Sequence, residues 1–393
     1  MAIFKVSRYI FIVVILSACS STPSLTLSVS PEPQLYFDEY FTTYDLVAIE
    51  TEKEVFSIDE EMKMMVKNKL LIESDPIERA KKLLNHLFAQ EYVNLAYESD
   101  ANLTATQTYH SSTANCMSLT IMAYVLAKEA GLDVEFQDID VPEYWVRNGQ
   151  YNMVTGHVNL LVKKPIDDNV AIYWGVKTLQ IDFDPYILKK SFPKTVVDKA
   201  TILAMFYTNK GAQAMVNGQY TTAYAYLKKA TEVAPLFSSS WSNLGILYRL
   251  VENYSLARKT YQYTLTLDPN NLTVLSNFAM LMKKEGLTNE AYLLEKKLHN
   301  KRAKNPYYHA LLADEALYKG ELNIAKQYYK SAIKLNNKVH EFYYGLAKVY
   351  YQLDEYPKAR IALNKAITLN KARTTEQQYV AKLQWINASN NAH

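Results

Sequence analysis

The hydrophobic rhythm of the chain falls into two halves, and the second is the more regular. From about residue 204 onward the apolar positions follow a helical period inside a longer one: a small residue recurs at Gly211, Gly245, Ala279, Ala313 and Ala347, a step of 34 with no insertion. An alanine ladder with the same step runs through Ala223, Ala257, Ala291, Ala325 and Ala359. Large residues fill the rows beside them, Tyr207, Trp241, Leu275, His309 and Tyr343 in one, and Lys210, Leu244, Phe278, Leu312 and Leu346 in the other, while Pro235 and Pro269 close two units. Small residues let the paired helices of a unit approach, and large ones interlock with the next unit, so no unit buries its apolar face alone. Tyr248, Tyr261, Tyr329 and Tyr350 fall at packing positions. The third copy departs, with Glu295 where the other copies carry an aromatic or aliphatic residue and with no closing proline. Residues 374–393 read as a polar-faced closing helix.

Between about 35 and 200 the pattern is mixed. Helical stretches are expected near 58–72 and 76–90; Asp75-Pro76 with Glu78 starts the second, and Ile77, Ala80, Leu83, Leu84 and Leu87 share its face. Asn115 leads into a helix from Cys116 to Ala127, apolar around most of its circumference, which stops at Gly131. Such a helix belongs at the centre of a domain, with Cys116 in its first turn, where backbone N–H groups and the helix dipole favour an anion. Strand patterns follow at 134–136, 157–162, 170–174 and 179–183, predicting an antiparallel sheet packed on the cysteine helix. In the second strand His157, Asn159 and Leu161 share one face; in the last, Gln180 and Asp182 share a face opposite Leu179, Ile181 and Phe183.

Composition narrows the function classes. A 49% hydrophobic, 21% charged chain is an ordinary folded protein, and the net charge of +3 arises from 43 basic and 40 acidic residues mixed along its length, which argues against a nucleic-acid partner. Ten glycines and no phosphate-cradling loop argue against nucleotide use, and the absence of His-x-x-x-His or Cys-x-x-Cys spacing argues against a metal site, so no cofactor is expected. At the start, Lys5 and Arg8 precede an apolar run at 10–16 and the small residues Ser17, Ala18 and Cys19, the pattern of an export signal over 1–19. The run is far shorter than the roughly 20 residues that span a bilayer. Residues 20–34, rich in Ser, Thr and Pro, read as a flexible tether.

Leu16-Ser17-Ala18-Cys19 resembles the lipobox of bacterial lipoproteins, which implies acylation of Cys19 and a cell-envelope location. Ser20 after the cysteine points to the outer membrane, facing the periplasm. With Cys19 carrying lipid, Cys116 is the single thiol left, and no intramolecular disulfide is expected.

A cysteine nucleophile needs a base to take its proton and a third group to orient that base, and Cys116, His157 and Asp182 supply the set. His86 and His110 compete for the base and Asp184 for the carboxylate; the first two lack strand context, and Asp184 stands beside Pro185, which ends the strand. The order Cys, His, Asp, with the cysteine opening a helix and the others on later strands, resembles the transglutaminase-like superfamily through Asn115-Cys116-Met117-Ser118-Leu119-Thr120, Gly156-His157-Val158-Asn159 and Ile181-Asp182-Phe183. Ala114 stands where that family commonly has glycine. The ladders over 204–373 resemble five tetratricopeptide repeats starting at 204, 238, 272, 306 and 340. Together these resemblances imply an α+β transglutaminase-like (papain-like cysteine protease) domain over 35–200, followed by an all-α tetratricopeptide-repeat superhelix. They imply a periplasm-facing lipoprotein with cysteine-dependent acyl transfer on a protein or peptide amide, to water or to an amine, and a repeat groove for a protein or peptide ligand. The alternative is a non-catalytic envelope adaptor that uses both parts for protein binding.

Overall fold

The computed structural model describes residues 33–88, 96–98, 100–148, 151–163, 178–183, 192–370, 379–380 and 383. The expected export signal with Cys19, nearly all of the tether, the strand expected at 170–174, Asp184 and most of the closing helix lie outside these residues.

Short helices lead in. Thr51 caps α1 (Glu52–Val55), Asp59 caps α2 (Glu60–Met65), and the chain continues through a π-helical turn, Val66–Leu70. Asp75 accepts from the backbone N–H groups of Ile77 and Glu78, starting α3 (Pro76–Phe88). Thr104 and Gln107 form a capping box on α4 (Ala105–His110). Next comes α5 (Cys116–Glu129), whose N-cap Asn115 accepts from the Ser118 N–H; Gly131, at φ +69°, takes the left-handed turn that ends it. Two residues on either side of α4 pair in parallel as β1 (Ala96–Tyr97) and β2 (Thr113–Ala114).

A four-stranded antiparallel sheet follows, ordered β5 (Thr178–Ile181), β4 (Tyr151–Lys163), β3 (Asp133–Asn148), β6 (Lys194–Val197). The sequence pattern caught only the inner parts of β3 and β4 and missed β6. Its apolar alternation is lost where the hairpin projects beyond the core. The register of the hairpin shifts: Ile139 opposes His157 and Tyr144 opposes Thr155, so residues 140–143 bulge outward against Gly156. Pro142 lies within that excursion, where its missing N–H costs no ladder bond.

Ten helices from Lys199 to Leu369 pair as five hairpins: α6 (Lys199–Val216) with α7 (Tyr220–Val233), α8 (Ser238–Leu250) with α9 (Tyr254–Leu267), α10 (Leu272–Lys284) with α11 (Thr288–Arg302), α12 (Pro306–Tyr318) with α13 (Leu322–Leu335), and α14 (His340–Gln352) with α15 (Tyr356–Leu369). All five ladder alanines, from Ala223 to Ala359, are fully buried, and so are Tyr248 and Tyr261. The glycines mark the closest approaches: a Cβ on Gly245 would stand 2.6 Å from the Tyr261 ring, and one on Gly211 2.7 Å from Leu227.

Packing does not stop between the sheet and the helices. Leu83, Ile121, Leu126, Phe136, Leu160 and Ile181 share one core with Ile202 and Phe206 of α6. The array, in contrast, changes core partway. One cluster runs from Ala212 to Leu281 and another from Ala313 to Tyr379. Between them lies α11, which exposes Tyr292 and Leu293 and turns Glu295 outward to Lys283 at 2.6 Å. The irregular third copy is therefore where the helical core divides.

Candidate functional site

Cys116 opens α5 and is partly exposed. Buried polar neighbours hold this helix start. Asn115 donates Nδ2 to Asn102 Oδ1 at 2.9 Å; Ser118 donates its hydroxyl to the Ala101 carbonyl at 2.8 Å and accepts from the Leu103 N–H at 2.9 Å. One turn on, Thr120 donates to the Val158 carbonyl at 3.1 Å and ties α5 to β4 one residue from His157. The polar residues of the Asn115–Thr120 stretch thus fix the thiol in place, a role that their spacing alone did not disclose.

His157 on β4 and Asp182, one residue past β5, meet through His157 Nε2 and Asp182 Oδ1 at 2.8 Å, both buried. The second carboxylate oxygen accepts from Asn159 Nδ2 at 2.7 Å and Gln180 Nε2 at 3.2 Å. The imidazole also interacts electrostatically with the Cys116 side chain. Since Asp182 takes Nε2, the nitrogen left for the thiol is Nδ1. Burial pushes the His157 pKa down, but the bond to Asp182 and the interactions with the Asp182 and Cys116 side chains outweigh it and carry it up to about 10. Of the three residues singled out by sequence order, His157 and Asp182 are hydrogen-bonded, and Cys116 lies within electrostatic reach of the imidazole.

The competing histidines sit elsewhere. His110 pairs with Asp59 Oδ2 at 2.6 Å on an exposed surface, and His86 stays on α3. Asn159 and Gln180 were legible as face-mates of His157 and Asp182, but not as the donors that hold the carboxylate. Among the described residues no group of three or more His, Cys, Asp or Glu is placed to hold a metal, and no helix is long and apolar enough to cross a membrane.

A second feature lies at the bulge beside His157. Glu143 receives two bonds of 2.6 Å from Arg302 of α11, and its carbonyl accepts from Asn305 at 2.8 Å. The Arg302 guanidinium lies 5.0 Å over the Trp145 ring, which also approaches Tyr308. The β3–β4 arm is clamped to the middle of the helical array.

The profile of the tetratricopeptide repeat family matches residues 311–373, from within α12 to just past α15. The chain contains tetratricopeptide repeats. A curated relative, the tetratricopeptide repeat-containing protein trd-1 of Caenorhabditis elegans, is 22% identical over 181 residues, 46% of this chain; the chain spans only 22% of that relative's length. Among solved structures, pilF of Pseudomonas aeruginosa is 19% identical, covering 49% of this chain and 90% of its own, with a TM-score of 0.31. A thermophilic tetratricopeptide repeat protein of Thermus thermophilus is 16% identical, covering 46% and 99%, with a TM-score of 0.32.

Proposed function

We propose that this protein is a tetratricopeptide-repeat scaffold for a protein or peptide partner, and that its N-terminal part is a transglutaminase-like acyl-transfer site built on Cys116, His157 and Asp182. The observation that supports the chemistry is the buried His157–Asp182 hydrogen bond of 2.8 Å, with the Cys116 side chain close enough to the imidazole to raise its pKa. In the proposed reaction Cys116 Sγ attacks an amide carbonyl, the C–N bond breaks, and the His157 imidazolium gives its Nδ1 proton to the departing nitrogen. His157, now neutral, takes a proton from water or an amine as that acceptor attacks the thioester, and the thiol returns. Asp182 holds the ring and balances its charge. Water makes the protein a peptidase or amidase; an amine makes it a crosslinking transferase. The leader pattern supports attachment through a lipid on Cys19, at the outer membrane and facing the periplasm.

Intact-mass spectrometry after incubation with p-nitrophenyl acetate tests the chemistry. A single acetyl adduct on Cys116, absent from Cys116→Ala and strongly slowed in His157→Ala, supports it; no adduct, or one insensitive to His157, refutes it. The second reading is an envelope adaptor without catalysis. It is favoured by the position of the family match, which lies wholly within the repeats and away from all three residues. An adaptor has a sluggish Cys116 whose replacement leaves partner binding intact.

A further inference from the structure

The chain itself covers part of its helical array. The segment around Leu35, Phe37 and Phe41 packs on the first two hairpins: Tyr248 donates to the Leu35 carbonyl at 2.7 Å, and Tyr224 donates to Asp38 at 2.6 Å while accepting from the Phe37 N–H. The β3–β4 arm occupies the junction at Arg302 and Asn305. Beyond the arm, between α12 and α14, a cavity of about 590 Å³ remains, and Trp145 at the arm forms one of its walls.

The chemistry of this cavity is uneven. Aromatic faces of Trp145, Tyr318 and Tyr344 line it, and three exposed carboxylates, Asp314, Glu315 and Glu341, stand around it. Tyr318 is 81% exposed and presents a large aromatic surface. Gly345 leaves room for the Tyr329 ring, whose hydroxyl donates to Asp314 and so fixes that carboxylate at the floor. The chain's own contribution of positive charge to the lining is Lys348, which lies 5.4 Å over the Tyr344 ring and 3.9 Å from Asp314. An ammonium group is already accommodated there by an aromatic face and a carboxylate. Of the other two carboxylates, Glu341 faces His340 at 3.3 Å and Glu315 is exposed, so the lining keeps a surplus of negative charge for another.

We propose that this cavity, walled by the β3–β4 arm and the last two hairpins, is a docking site for a partner segment that presents lysine or arginine side chains. The inference rests on the reading of the repeats as a peptide-binding scaffold and names the chemistry of the peptide. A cation entering the cavity gains aromatic faces and carboxylates, whereas an acidic segment meets like charge and loses solvation. The arm makes the site composite, because Trp145 comes from β3 and is held against the repeats by Arg302 of α11 and Tyr308 of α12.

The test uses the full chain with Cys116→Ala, so that no reaction complicates binding. Fluorescence anisotropy follows a short, capped, fluorescein-labelled peptide alternating alanine and lysine, and a twin with glutamate for lysine, at physiological salt. The lysine peptide should bind at least about tenfold more tightly than its twin. That preference should be lost in Glu315→Gln/Glu341→Gln and weakened in Tyr318→Ala; all three positions are exposed, and thermal melts verify folding. Equal binding of the two peptides, or a preference that survives the double substitution, overturns the inference and leaves the repeats as peptide binders. Binding of neither peptide overturns the inference and the peptide-binding reading together.

Discussion

Glu143 and Arg302, 159 positions apart in the chain, meet through two charge-assisted hydrogen bonds of 2.6 Å, with Arg302 almost wholly buried. Glu143 stands in the bulge that faces Gly156, next to His157 on β4. One ion pair therefore fastens the repeat array to the strand pair that carries the imidazole.

Arg302 is buried and Glu143 partly so, and Arg302→Met leaves that carboxylate without its partner, so the protein is expected to be destabilised by about 1–3 kcal/mol. Adding Glu143→Gln to it should recover part of that loss, because no partly buried charge is then left alone. Urea unfolding of the two single variants and the double variant measures the coupling. Strictly additive losses would show that the clamp contributes little.

Asp182 is the group that keeps His157 charged. Asp182→Asn retains the shape and removes the charge, and acetyl-adduct formation on Cys116 is expected to slow by about a thousandfold. Asn159→Leu removes only a donor to the second carboxylate oxygen and is expected to destabilise the fold by about 1–3 kcal/mol, with a milder loss of rate. Stopped-flow rates and denaturant midpoints separate the two effects.

The same pair makes stability depend on pH. The His157 pKa is raised from 6.5 in the ordinary side chain to about 10 in the folded protein, so folding favours the protonated form. Its contribution is fully present below the unfolded value and is lost as pH rises through about 10. The stability difference between wild type and His157→Gln should accordingly shrink between neutral and alkaline pH. A constant difference across that window would contradict the charged pair.

Gly245 tests the packing logic of the repeats. Tyr261 is fully buried and cannot retreat from an added methyl group, so Gly245→Ala is expected to cost about 1–3 kcal/mol by overpacking. Gly218, where a Cβ would meet nothing but φ is +72°, should instead suffer through backbone strain. Thermal unfolding of both variants measures these costs.

What the sequence disclosed, and what it withheld, follows from the range of the interactions. The small-residue ladder was readable because each step repeats the same local packing, and the alanines from Ala223 to Ala359 are all buried. The meeting of His157 with Asp182 was readable because strand alternation fixes which residues share a face. The arm was not readable: Glu143 and Arg302 lie in different halves, and nothing near either residue announces the other. Pro142 was the one local sign of the bulge. The roles of Asn115, Ser118 and Thr120 likewise depend on Asn102, Ala101 and Val158, partners that no periodicity connects.

The central claim, that Cys116 is activated by His157, is tested most directly by the rate of Cys116 alkylation with iodoacetamide as a function of pH. Wild type should react rapidly and almost evenly between about pH 6 and 8, while His157→Ala should react about a hundredfold more slowly at the acid end and speed up only toward alkaline pH, as an ordinary thiol does. Superimposable profiles for the two proteins would contradict the claim and leave a scaffold with a passive cysteine.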